Sequence, residues 1–255
     1  MISNMADALP MLDIRCEAIP CKVCGAASPL DGVIDFNKCA SEQQAVLRPL
    51  WGVPVYYHRC PDCRLLFTVA FDRWTTAEFQ RHIYNDGYAE VDPDYSEARP
   101  VSNAGVVANF VARGENLNIL DYGGGNGRLA RELVARGFTA SSWDTMEPSD
   151  VRPAVGSFDV VTCFEVMEHT PTPVETFADA ISYLKPGGVM LFSTLTIDAL
   201  SPRSMEHWYI LPRNGHVTIY TKRSLALLAA KFGHRIHHFD DVLHLGLTEV
   251  PNWLR

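Results

Sequence analysis

The 255-residue chain carries 47% hydrophobic and 20% charged residues with a formal net charge of −8, a composition that supports a full α/β domain plus a small module and excludes extensive disorder. No basic run stands out, which argues against a nucleic-acid surface, and no apolar stretch reaches the roughly 18 residues needed to cross a bilayer. The N-terminus lacks the basic, apolar and small-residue segments of a secretory signal, so the expectation is a cytoplasmic protein whose seven cysteines stay reduced.

Residues 1–15 carry little pattern and read as a tail. Residues 16–70 are rich in Cys, Pro and Gly, with short apolar runs that suit short strands around a staple. Within them, Cys21-Lys-Val-Cys24 and Cys60-Pro-Asp-Cys63 form two C-x-x-C knuckles. Each offers two thiolates from one tight turn, and two such turns complete a tetrahedral structural zinc site. A redox role is the alternative, but neither pair opens a helix after a strand. Cys16 and Cys39 read as small apolar residues, spare ligands being the other reading.

Residues 71–104 change character. Thr75-Thr-Ala-Glu78 is a capping-box signal for a helix running to about Tyr84, and the turn-rich, aromatic stretch from Tyr84 to Tyr95 reads as a linker or lid. From residue 105 to 255, helix and strand alternate. The expected order is a helix over 101–113, strand 117–120, a glycine loop, helix 128–137 and strand 139–143. Strand 158–163, helix 173–184, a tight turn at Lys185–Gly188 and strand 189–193 follow, then a helix capped by Thr221 and two strands within 235–247. That alternation predicts a doubly wound, mostly parallel, Rossmann-like α/β sheet with a small N-terminal zinc-binding module.

The glycine loop is Asp121-Tyr122-Gly123-Gly-Gly125-Asn-Gly127, between a strand end and a helix start. Glycine suits a sharp turn and a ligand lying against the backbone. The spacing is not that of a dinucleotide fingerprint. A carboxylate at its head would repel a pyrophosphate and suits the cationic, amine-bearing tail of S-adenosylmethionine. Asp144, at the end of the next strand, stands where an acid bonds a ribose hydroxyl pair in such folds, a turn or helix-cap role being the alternative.

These segments, with Phe158–His169 and Leu184–Ser193, resemble successive motifs of the class I S-adenosylmethionine-dependent methyltransferases over residues 105–255. The resemblance implies that the glycine loop holds the methionine moiety, Asp144 the ribose, and Phe164 and Glu165 the methionine end. One departure is visible: residues 145–157 are too few for the family's usual helix and third strand. The expectation is a shortened helix or missing strand and a more open adenine side, with Asp150 a candidate for the missing adenine-contacting acid.

Acid/base candidates gather at Glu168-His169, and in the loop from His207 to His216. From these, His169, His207, Tyr209 and His216 are taken as the catalytic candidates. The helix-capping or packing role of a lone histidine is the alternative for each. His234, His237, His238 and His244 read as surface or packing residues. No Asn/Asp-Pro-Pro-Tyr/Phe follows the fourth strand, and Cys163 lacks a Pro-Cys context, which disfavours base and glutamine-amide acceptors. What remains is a small-molecule acceptor with O-, N- or C-methylation open. The zinc module, tyrosine-bearing linker and core together resemble nucleotide-sugar C-methyltransferases and natural-product enzymes, without their large C-terminal domain. That resemblance implies that Tyr84, Tyr88 and Tyr95 close over the cofactor, packing between modules being the alternative. Two other functions stay open: a protein or RNA modifier docking through the zinc ribbon, and a cofactor-binding protein without turnover.

Overall fold

The computed structural model describes residues 16–40, 49–111, 116–147, 151–198 and 204–254. The 1–15 tail and Asp150 lie outside the described residues. Two short strands, β1 (Ile19–Pro20) and β2 (Ala27–Ser28), pair around the first knuckle. Three more, β3 (Leu30–Asp35), β4 (Pro54–Arg59) and β5 (Leu66–Thr68), form an antiparallel sheet. Its fourth strand comes from 150 residues away: β10 (Thr218–Ile219) pairs with β5 through Thr218↔Phe67 and Ile219↔Leu66.

Helix α1 (Thr76–His82) begins at the predicted capping box. The Thr75 N–H donates to the Glu78 carboxylate at 2.6 Å, and the Glu78 N–H donates to Thr75 Oγ1 at 3.3 Å, a cap of the kind that stabilises a helix start by ~1 kcal/mol. A one-turn helix α2 (Tyr88–Val91) follows, and α3 (Ala98–Phe110) is the helix expected over 101–113, running across the expected boundary at residue 104.

The large sheet has the order β11-β12-β9-β8-β6-β7. Strands β6 (Asn118–Tyr122), β7 (Thr139–Trp143), β8 (Phe158–Phe164) and β9 (Leu184–Ser193) are parallel, and β12 (Leu243–Leu247) and β11 (Arg235–His238) add antiparallel pairings. Helices α4 (Arg128–Ala135), α5 (Pro173–Ser182) and α6 (Lys222–Ala230) connect them. This is the predicted doubly wound, Rossmann-like sheet. The chain order reverses between β6 and β8, the switch point outside which such sheets bind ligands. Among the described residues no strand lies between β7 and β8, so β7 is the sheet edge. Arg152 straps that edge: its Nε donates to Tyr183 Oη at 2.8 Å, it pairs with Asp179, and its guanidinium lies 5.5 Å from the Trp143 ring centre.

One expectation is corrected. Lys185–Gly188 is not a turn before a strand but an irregular part of β9, because pairing with β8 holds on both sides of it (Phe158↔Leu184, Val160↔Val189). Gly187 takes φ +76° there, and Lys185 Nζ bonds Asp159 Oδ2 at 2.7 Å. Helix α6 starts on the predicted Thr221 cap, with Ser224 in place of the usual Glu.

The apolar core is continuous across the two sheets. Cys60, Cys63, Leu65 and Phe67 of the small module pack in one cluster with Leu120, Tyr122 and Val161 of the large sheet.

Candidate active site

Strand β6 delivers Asp121 and Tyr122 to the carboxyl edge of the sheet, where the chain must turn before α4. Gly123 makes that turn at φ +70°, and a Cβ there would lie 2.5 Å from Val166 Cγ2. Its N–H donates to Trp143 O at 2.8 Å. Asp144 grips the loop from the end of β7: Oδ2 accepts the Gly125 N–H at 2.8 Å and Oδ1 accepts the Met146 N–H at 2.7 Å. Gly127 caps α4 in the left-handed region and does not line the main cavity. Gly123→Ala combines a left-handed strain of ~1–2 kcal/mol with the Val166 clash. It is expected to weaken S-adenosylhomocysteine binding at least about tenfold by calorimetry while the protein remains folded.

Asp121 is buried beneath this loop. Thr162 Oγ1 donates to its Oδ1 at 3.1 Å, and Oδ2 has no partner among the described residues. Burial, helped by the Asp144 charge and opposed by Thr162, pushes its carboxyl up to about 7. An unpartnered, buried carboxylate oxygen beside a glycine cradle fits a ligand bringing positive charge or N–H groups.

A cavity of about 610 Å³ opens in front of the loop. Asp121, Tyr122, Gly123, Gly125, Asp144, Phe164, Glu165 and His169 all line it. Glu165 sits at φ +54°, a strained setting for a non-glycine residue. Ser193 holds it there, accepting the Glu165 N–H at 3.0 Å and donating to Oε1 at 2.8 Å. Tyr84, Tyr88 and Tyr95 form another part of its wall, in edge-to-face contact, with ring centres 5.1 and 5.0 Å apart. Two groups that sequence reasoning missed share that wall: the bidentate Arg99–Asp92 pair, at 2.7 and 2.9 Å, and the aromatic corner of Trp74 and Phe79. Neither carries a local spacing signal.

The catalytic candidates divide. His169 is on the cavity wall, with Nδ1 3.0 Å from Tyr84 Oη. Burial holds its imidazole well below the usual range, and the His216 and Arg99 neighbours add to this, so it is neutral at pH 7. Tyr209 and His216 are buried behind it. His216 Nδ1–H donates to Tyr209 O at 2.8 Å, and its ring meets His169 edge-on at 4.8 Å. Tyr209 Oη donates to Glu168 Oε1 at 2.6 Å. His207 lies outside the cavity lining, its Nδ1 accepting the Tyr209 N–H at 3.2 Å. Of the other histidines, His244 is fully buried, bonded to Thr194 O at 2.9 Å.

Glu168 is fully buried, and burial with the nearby Glu165 charge pushes it up to about 8 despite the Tyr209 bond. It and Asp121 keep protons that the unfolded chain has already lost, so the ligand-free protein loses stability as pH rises. Below about 6.5 the buried neutral histidines His169, His216 and His244 act in the opposite sense. Between pH 6.5 and 8 the Cys21 thiol, which Cys63 holds down at about 5, acts against this loss. The Glu168 share is therefore read as a difference: chemical denaturation should show wild type losing about 1.5 kcal/mol more than Glu168→Gln across that range; equal slopes would contradict a protonated Glu168.

The profile of the family described as "Methyltransferase domain" matches residues 95–238 of this chain. The chain belongs to that methyltransferase family. The ubiquinone biosynthesis O-methyltransferase of Thiobacillus denitrificans is 35% identical over 163 residues, covering 52% of this chain and 70% of that protein. The enzyme of that name from Xanthomonas campestris pv. campestris is 52% identical over 105 residues, covering 39% of this chain but only 34% of that protein. The one from Caulobacter vibrioides is 32% identical over 123 residues, 38% of this chain and 49% of that protein. Among solved structures, TnmH superimposes with a TM-score of 0.50 at 16% identity, covering 71% of this chain and 64% of that one, a likeness of fold. The expectation of an S-adenosylmethionine-dependent methyltransferase on a Rossmann-like sheet holds.

The methyltransferase carries a second constellation away from the cavity. Cys21, Cys24, Cys60 and Cys63 place all four sulfurs within 4.8 Å of one another. The spacings Cys21–Cys63, Cys24–Cys60 and Cys24–Cys63 are 3.6, 3.3 and 3.7 Å. A tetrahedron with metal–sulfur bonds of about 2.3 Å has edges of ~3.8 Å, so the four thiols fit one such ion with little adjustment. The two knuckles also share one backbone pattern. In each, the first cysteine's carbonyl accepts the N–H four residues on, and its own N–H donates to the carbonyl five residues on (Gly25 and Ala26; Arg64 and Leu65). Gly25 and Arg64 close them at φ +79° and +65°. The other cysteines are not in the cluster: Cys16 is exposed, and Cys39 is buried in a separate apolar cluster.

Proposed function

We propose that this enzyme methylates a hydroxyl oxygen of a small molecule, with His169 as the base. The observation that carries the reading is the placement of a neutral histidine, bonded to Tyr84, on the wall of the same cavity as the glycine loop. The similarity to ubiquinone biosynthesis O-methyltransferases favours oxygen as the acceptor atom.

S-adenosylmethionine, when bound, supplies an electrophilic methyl on a sulfonium. Gly123, Gly125 and Tyr122 with buried Asp121 are the residues to hold its methionine part, Asp144 its ribose, and Phe164 and Glu165 the wall beside them. Gly127 supports them by starting α4. The acceptor fits between the Trp74–Phe79 corner and Tyr84. With Nδ1–H turned to the Tyr84 oxygen, Nε2 of His169 is left as the proton acceptor. Tyr209 and His216 act from behind, fixing Glu168 and backing the His169 ring, and His207 stiffens their loop. Residues 71–104 serve as the lid over the cavity.

The cysteine quartet is read as a structural zinc site of residues 16–70, since four thiolates leave no open position for chemistry. Its packing into the shared core supports a part built into the enzyme rather than a free docking ribbon. Among the described residues no helix is long and apolar enough to cross a membrane.

An acceptor screen reading S-adenosylhomocysteine release tests this, with phenols, nucleotide sugars and amines as separate arms. Release with a hydroxyl acceptor is expected; turnover restricted to amines would overturn the O-methylation reading.

A further inference from the structure

The strip that carries His169 is held from outside the large sheet. Four of its backbone carbonyls each accept a bond from elsewhere: Met167 O from Tyr220 Oη at 3.1 Å, Glu168 O from the Val217 N–H at 2.9 Å, Thr170 O from Thr218 Oγ1 at 2.8 Å, and Pro171 O from Lys22 Nζ at 2.9 Å. Three of these donors lie on or beside β10, the strand that completes the small module's sheet. The fourth comes from the cysteine site itself, because Lys22 is the residue between Cys21 and Val23 in the first knuckle. Its ammonium also pairs with Asp72 Oδ1 at 2.5 Å, and it lies 5.9 Å from the Phe67 ring centre, with only 10% of the side chain exposed.

Pro171 and its neighbours Thr170 and Thr172 line the cavity next to His169. The glycine loop, by contrast, is held by Trp143 and Asp144 at the end of β7. The two halves of one cavity therefore take their support from different places. A largely buried lysine bonding a wall carbonyl fixes that carbonyl by a charge-assisted bond, stronger than a neutral one.

We infer that Lys22 is a positioning residue: its bond to Pro171 O ties the first knuckle to the placement of His169 and does not act on the cofactor half of the cavity. This rests on the reading of His169 as the base.

Zinc-loaded wild type, Lys22→Met and Lys22→Arg are compared by histidine ring NMR, with the His169 signal assigned by its loss in His169→Gln. Each is also titrated calorimetrically with S-adenosylhomocysteine. Met keeps the buried stem without the donor, and Arg restores a donor. In Lys22→Met the His169 signal should shift or broaden, with zinc content and the S-adenosylhomocysteine Kd unchanged; Lys22→Arg should keep the wild-type signal. An unmoved His169 signal in Lys22→Met, or a Kd that shifts together with the signal, overturns the inference. Should Lys22→Met not fold because Asp72 is left without its cation, Lys22→Met combined with Asp72→Asn, which removes both the donor and the unpaired carboxylate, is read in the same way. If wild type itself fails to bind S-adenosylhomocysteine, the cofactor reading falls, while the His169 comparison still decides the role of Lys22.

Discussion

Cys21→Ser combined with Cys60→Ser is expected to strip the zinc and to unfold or aggregate the protein. One ligand is lost from each knuckle, so neither can close the tetrahedron. Structural zinc sites contribute roughly 10–16 kcal/mol of apparent binding energy, against a net folding stability of about 5–15 kcal/mol for a whole domain. Even a fraction of that term exceeds the margin. The damage should not stay local, because Cys60 and Cys63 are fully buried in the cluster that includes Leu120 and Tyr122 at the base of the glycine loop. Metal analysis should find one zinc per chain in wild type and none in the variant, and the variant should lack a cooperative thermal transition. A folded, zinc-free wild type would remove the metal from the account.

His169→Gln is expected to lower methyl transfer by about a hundred- to ten-thousandfold, the range of a positioned general base. Glutamine keeps a polar group toward Tyr84 but cannot take up a proton. Because the glycine loop is held by Trp143 and Asp144, the S-adenosylhomocysteine affinity should stay at the wild-type value. The rate should also hold its neutral-pH value well into the acid range, since burial keeps His169 neutral below the usual imidazole range. A variant with near-normal turnover would show that the acceptor needs no base, or that it lies elsewhere.

What the sequence showed plainly was local. The glycine loop, the two knuckles and the Thr75 and Thr221 caps each need specific residue types within a few positions, and those positions fold as read. Among the described residues no strand stands between Trp143 and Phe158, one of the two outcomes expected of that short stretch. What the sequence hid depends on distant contacts. The β10–β5 pairing joins residues with no shared pattern, and only three-dimensional packing puts His169 on the cavity wall while His207, equally polar, lies outside it. The Lys185–Gly188 irregularity has turn composition, yet strand pairing on both flanks outweighs it. Asp92 and Arg99 stand seven residues apart, but Asp92 ends α2 and Arg99 lies in α3, so no single helix marks their pairing.

The loop that opens the cavity combines an acid, a glycine spacing and an orphaned carboxylate oxygen, the features proposed to hold the methionine part of S-adenosylmethionine. Calorimetric titration of the zinc-loaded protein with S-adenosylmethionine, and separately with a nicotinamide dinucleotide, tests this most directly. Saturable one-to-one binding of S-adenosylmethionine, lost in Asp121→Ala, with no heat from the dinucleotide, is the predicted result. Tight dinucleotide binding, or no binding of S-adenosylmethionine, would contradict it.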